Sequence, residues 1–162
     1  MNNTDDFSPR EWALLADAPL AAATAVALAT PGGGEEEAET ILSGWREVGA
    51  MFPDSPLVQR LVRDFDPSQG GDEPDSSPAY EDPDEAVAAL IDHALNRCAA
   101  AARLLGERAD PLDLDDYRKF VLNLAYRVAR SAGEGRLFGL GAATVSAEER
   151  EVLDAIAQAL RG

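Results

Sequence analysis

Ser8-Pro9, Ser55-Pro56, Asp82-Pro83 and Asp110-Pro111 each set a helix-capping residue directly before proline at the head of a stretch with helical apolar spacing. Proline at the first helical position presets φ and gives up an N–H that has no intrahelical acceptor there. The serine or aspartate before it offers an oxygen to the next free N–H groups. Each pair therefore reads as a helix start. Ser8-Pro9-Arg10-Glu11 and Ser146-Ala147-Glu148-Glu149 go further, with a glutamate at N3 that completes a capping box. Phe7 and Trp12 stand where a hydrophobic staple would close over the first of these boxes. Asp17 with Pro19 reads as a restart, opening a second helix over 18–29.

The stretches between these signals carry apolar residues at helical spacing. Ala38, Ile41, Trp45, Val48, Gly49 and Phe52 share one face. Val87, Leu90, Ile91, Ala94, Leu95, Cys98, Ala102 and Leu105 form a second stripe, and Tyr117, Phe120, Val121, Leu124 and Val128 a third. Val152, Ile156, Ala157 and Leu160 form a fourth, and 57–65 reads as a short helix. Alternating runs of β-branched residues are missing, so no sheet is expected. The expected fold is an all-α bundle of about seven helices in one domain over 1–162. Residues 66–84 interrupt it with four prolines and seven acids, and read as a flexible acidic loop.

The chain carries 30 acids against 14 bases, a formal net charge of −16. A surface so negative repels nucleic acid and anionic membrane, and suits cations or basic patches on a protein partner. The single cysteine, Cys98, leaves no internal disulfide to form and makes a reducing cytoplasm the default. The apolar run 18–29 lacks a basic n-region and is too short to span a membrane, so it reads as a buried helix.

The stretch "ATPGGGEEEAET" (29–40) invites a phosphate-loop reading. Three glutamates at the helix start and no following lysine argue against it. A Ca²⁺ or Mg²⁺ site needs oxygens converging from several directions. Glu35, Glu36 and Glu37 diverge around their own helix, so a site requires Glu134 or Glu148 from elsewhere. The plain alternative is a turn and a charge-stabilised helix start.

His93 falls away from its helix's apolar stripe and Cys98 falls on it, so the two cannot act together. With one histidine and one cysteine, transition-metal clusters and nucleophile triads have no material. No cofactor motif is present. Lys119, Asn123, Tyr126, Arg127 and Arg130 line the outer side of their helix as a basic-aromatic strip, suited to an acidic partner, to an anion, or to local pairing of Lys119 with Asp115 or Asp116 and of Arg130 with Glu134. In 136–146, Leu137, Phe138 and Leu140 are apolar for a loop and either fill a gap between helices or contact a partner.

The opening "FSPREWALLADAPLAAATAVALA", the later "YRKFVLNLAYRVARSAGEG" and the C-terminal "LFGLGAATVSAEEREVLDAIAQALRG" together resemble an uncharacterised bacterial family of small helical proteins. That family is similar to the TerB tellurite-resistance domains. The resemblance implies an all-α fold of two similar halves and a stress-response role. It also implies divalent-cation binding by acids that open a helix after a turn. By position those acids are Glu35, Glu36 and Glu37 in the first half, and Glu134, Glu148 and Glu149 in the second. The residues themselves show a loose echo of 25–42 in 125–156, with Thr30 matching Ser131 and Glu35–Glu37 matching Glu148, Glu149 and Glu151. Thr30-Pro31-Gly32 and Ser131-Ala132-Gly133 depart from the family in having no aspartate before the glycine.

The function expected is a non-enzymatic binding or regulatory module, cytoplasmic, with weak divalent-cation binding. The alternative is a protein-interaction module using Lys119, Tyr126, Arg127, Arg130, Leu137 and Phe138. A carboxylate-based acid/base enzyme is the third reading.

Overall fold

The computed structural model describes residues 7–29, 35–65, 82–136 and 145–162, with backbone alone for 35–38 and 132–136. Among them the chain is all-α. Six helices follow one another: α1 (Pro9–Leu28), α2 (Glu35–Gly49), α3 (Pro56–Asp64), α4 (Pro83–Arg108), α5 (Pro111–Arg136) and α6 (Ala147–Ala159). All four cap-then-proline signals open a helix. The Ser8 hydroxyl accepts from Glu11 N, and Glu11 Oε2 accepts from Ser8 N at 2.7 Å. These bonds to Ser8, with Arg108 beside it, hold the Glu11 carboxyl below its ordinary range. The second box forms in the same way at Ser146 and Glu149.

α1 packs on α4 and α5, α2 and α3 lie on α5, and α6 covers α4, α5 and α1. The α1–α4 pairing is antiparallel. Arg108 Nη1 reaches Glu11 Oε1 at 2.5 Å, and Arg97 Nε lies 2.8 Å from Asp17 Oδ2. The second contact misses hydrogen-bond geometry, so it is an ion pair without a formed hydrogen bond. Tyr117, Phe120, Val121, Leu124 and Val128 of α5 are fully buried at the centre. Trp45, Cys98, Leu105 and Ile156 join them from α2, α4 and α6. Leu90, expected on the α4 stripe, is 46% exposed.

Three expectations need correction. Pro19 does not divide the first helix: α1 is continuous through it. Proline cannot donate to the carbonyl four residues back, which orphans Leu15 O. Tyr117, fully buried on α5, supplies the missing donor, and its hydroxyl reaches Leu15 O at 2.9 Å. Burial raises the Tyr117 phenol well above its ordinary range, so the donor proton stays in place. The resulting helix of 20 residues is long and apolar enough to cross a bilayer by length and composition, unlike the 18–29 run alone. Its face of Leu15, Ala18, Ala22, Ala23, Val26 and Ala27 is buried inside the bundle.

The second correction concerns Ser131-Ala132-Gly133. It is not a turn; it lies within α5, which continues to Arg136. Ser131 Oγ bonds back to Val128 O at 2.9 Å in the manner of helical serines. A glycine costs a helix about 1 kcal/mol, and α5 continues through both Gly133 and Gly135. Ser131 is helical, and Thr30, its expected counterpart, lies outside the described residues. The third concerns the acidic loop. Asp82 caps α4 through Asp84 N at 2.9 Å, so 82–84 belong to the helix start and not to the loop. The rest of that segment, 66–81, lies outside the described residues.

The α2–α3 corner is tightly made. Gln59 Nε2 donates to Gly49 O and Phe52 O, at 2.9 and 3.0 Å, which satisfies carbonyls at the end of α2. Gly49 is required by close approach: a β-carbon there would collide with Val62 Cγ2, and valine has little rotamer freedom to yield.

Candidate functional site

The basic-aromatic strip foreseen on α5 forms one wall of an open groove. α2 forms the other. The two helices are antiparallel: Trp45 meets the Phe120 ring edge-on at 5.1 Å, Gly44 lies against Leu124 and Arg127, and Thr40 shares the groove with Arg130 and Ser131. The groove has a volume of about 490 Å³, a size that suits a few side chains of a partner. Asn123, Tyr126, Arg127 and Arg130 line it from α5. Thr40 and Ser43 of α2 and Met51 just beyond it line the far side.

Its shape follows from local chemistry. Gly44 lets the Arg127 stem lie flat on α2, since a β-carbon there would come within 3.1 Å of Arg127 Cδ. The Arg127 guanidinium is then held by Glu47. Lys119 pairs with Asp115 one turn earlier at 2.5 Å, and that contact raises its pKa. It does not line the groove. Asn123 Nδ2 returns to Lys119 O at 2.8 Å, which fixes the amide on the helix surface. Arg130 is exposed, and no ion pair between described residues engages it. Tyr126 is 50% exposed and Met51 62%. Among the described residues, no carboxylate lines the groove.

The acidic candidates are placed differently. Glu35, Glu36 and Glu37 occupy the first turn of α2 and Glu134 the last turns of α5, all outside the residues whose side chains are described. Glu148 is exposed at the first turn of α6. Glu149 is buried, with Oε2 accepting from Ser146 N at 2.8 Å. Among the described residues no three His, Cys, Asp or Glu side chains gather as a metal-binding set. Leu137 and Phe138 lie outside the described residues. His93 is exposed. Cys98 is buried, its Sγ 3.8 Å from Ala18 O, and burial pushes its thiol up to about 12, where it is neither nucleophile nor ready ligand.

Sequence reasoning found the α5 wall and missed the α2 wall. Thr40 and Ser43 are ordinary polar positions on α2, and Met51 follows its last turn. Only the pairing of α2 with α5 makes them a surface. Comparison with protein-family models, curated proteins and solved structures finds no match to this chain.

Proposed function

We propose that this protein is a non-enzymatic binding module whose α2–α5 groove takes an acidic, partly apolar segment of a partner protein. The observation that supports this most is the convergence of Arg127, Arg130, Tyr126 and Met51 on one groove with no carboxylate among its described lining residues, in a chain of net charge −16. Tyrosine, methionine and arginine are the residues enriched at protein interfaces. Tyr126 and Met51 supply apolar contact for a partner's apolar side chains. Arg130 supplies a guanidinium fork for a carboxylate. Arg127 would exchange Glu47 for a partner carboxylate, or hold both.

The groove accounts for Tyr126, Arg127 and Arg130 among the partner residues foreseen from sequence. Titration of ¹⁵N-labelled protein with a synthetic amphipathic peptide, glutamate-rich with leucines at i, i+3 and i+4, tests it. Saturable shifts should centre on the amides of Thr40, Ser43, Asn123, Tyr126 and Arg130, and should vanish in Arg130→Glu. Shifts scattered over the molecule, or unchanged in that variant, would count against the groove.

The TerB-like resemblance supports a second reading, weak Ca²⁺ or Mg²⁺ binding in a stress response. In its favour, the antiparallel pairing sets the first turn of α2, with Glu35, Glu36 and Glu37, toward the end of the bundle where α5 finishes with Glu134. Glu148 would complete the set. At constant ionic strength, millimolar Ca²⁺ should then raise the melting temperature, and Glu36→Gln should abolish the rise. A melting temperature indifferent to both cations would end this reading.

A further inference from the structure

A second groove opens between α4, α5 and the residues that follow α6. It has a volume of about 610 Å³, within the range of small-molecule sites. Its floor is made of small residues, Ala99, Ala102 and Gly106 of α4. Three arginines line it from three parts of the fold: Arg103 of α4, Arg118 of α5 and Arg161 beyond α6. Among the described residues, no acidic side chain lines it.

That composition is unexpected in a chain where acids outnumber bases 30 to 14. Several bases elsewhere find carboxylates, while Arg10, Arg46, Arg130 and Arg150 enter none of the ion pairs between described residues. Arg60 and Arg63 share Asp64, Arg97 holds Asp17, Arg108 holds Glu11, Lys119 holds Asp115 and Arg127 holds Glu47. None of the ion pairs between described residues includes Arg103, Arg118 or Arg161.

Arg118 is already placed. Its Nε donates to Leu160 O at 2.6 Å and its Nη2 to Arg161 O at 3.3 Å. These bonds answer the free carbonyls and the negative dipole end of α6. They also tie the backbone of Arg161 to the edge of the groove. The positive charges of Arg103 and Arg161 are then in excess of what the helix end requires.

We propose that this groove binds a small, multiply charged oxyanion of the pyrophosphate or organic-phosphate class. Guanidinium groups form paired hydrogen bonds with phosphate oxygens, and forks arriving from separate elements suit a ligand with oxygens on several sides. A long nucleic acid would extend beyond the groove onto a strongly negative surface, so the ligand is a small molecule. This site is separate from the α2–α5 groove and does not depend on it.

Sodium pyrophosphate is the probe, with EDTA present to exclude metal effects and ionic strength held constant with sodium chloride. The melting temperature of the full chain should rise saturably with pyrophosphate. Two kinds of variant should weaken the apparent affinity at least tenfold. Arg103→Gln with Arg161→Gln removes two of the forks. Gly106→Leu fills the floor without removing charge. The nearest atom facing a new β-carbon at 106 is Leu114 Cδ2 at 4.0 Å, and leucine is the better helix former, so this variant should melt no lower than the parent. A rise that survives both variants, no saturable rise at all, or amide shifts confined to Tyr126 and Arg130 would overturn the proposal.

Discussion

Replacing Trp45 with alanine is expected to destabilise the protein by about 3–5 kcal/mol, the usual cost of removing a large aromatic from a core. Trp45 is fully buried. Its ring stacks on Phe65 at 4.4 Å and meets Phe120 edge-on at 5.1 Å. Its Nε1 makes a long hydrogen bond, 3.4 Å, to Leu61 O. One side chain of α2 therefore joins α3, the residue that caps it and α5. Against a total stability of about 5–15 kcal/mol, that loss is a large fraction of what holds the fold. Urea unfolding is the measurement, with a lowered midpoint and an unchanged slope as the expected result. Trp45→Phe keeps an aromatic ring between Phe65 and Phe120 and loses the indole bond, so it should cost clearly less. Equal losses for the two variants would mean that the stacking contributes little. Because Trp45 packs α2 against Phe120 of α5, its loss should also weaken binding in the groove those two helices form.

The second large effect is expected at Tyr117. Tyr117→Phe should cost about 1–3 kcal/mol, because it leaves Leu15 O buried without the donor that Pro19 cannot provide. The same idea makes a sharper prediction through a double-mutant cycle. In a Pro19→Ala background the alanine N–H can bond Leu15 O in the ordinary helical way, and the hydroxyl is no longer needed. The cost of Tyr117→Phe should then shrink by about 1–2 kcal/mol, a coupling between residues that share one carbonyl. Equal costs in both backgrounds would show that the hydroxyl acts elsewhere.

That pair also shows where sequence reading stops. The helix starts were legible because a cap is local: Ser8 and Glu11, or Ser146 and Glu149, carry the whole interaction within four residues. The buried stripes were legible because 3.6-residue periodicity needs no knowledge of the partner, and Tyr117, Phe120, Val121, Leu124 and Val128 are all in the core. Pro19 was misread for the opposite reason. Its local effect is to break a helix, and the residue that offsets it stands 102 positions from Leu15. Ser131-Ala132-Gly133 lies within α5, because a glycine is too weak a local signal to mark a helix end by itself. The candidate site was half legible. A helical wheel shows that Tyr126, Arg127 and Arg130 share an outer face, but not that α2 will lie beside them with glycine at 44 and methionine at 51. The arginine groove was not legible, since Arg103, Arg118 and Arg161 are brought together only by the docking of α6.

The most direct test of the functional account is the affinity of the glutamate- and leucine-containing amphipathic peptide, followed by fluorescence anisotropy of a labelled copy. Tyr126→Ser and Arg130→Glu are surface changes and should leave the melting temperature within about 2 °C of the parent. We expect each to weaken peptide binding at least fivefold, and the pair together to abolish it, with Arg103→Glu as a charge-matched control that changes nothing. Parent-like affinity in the double variant, or equal weakening by Arg103→Glu, would contradict the assignment of the α2–α5 groove as the binding surface.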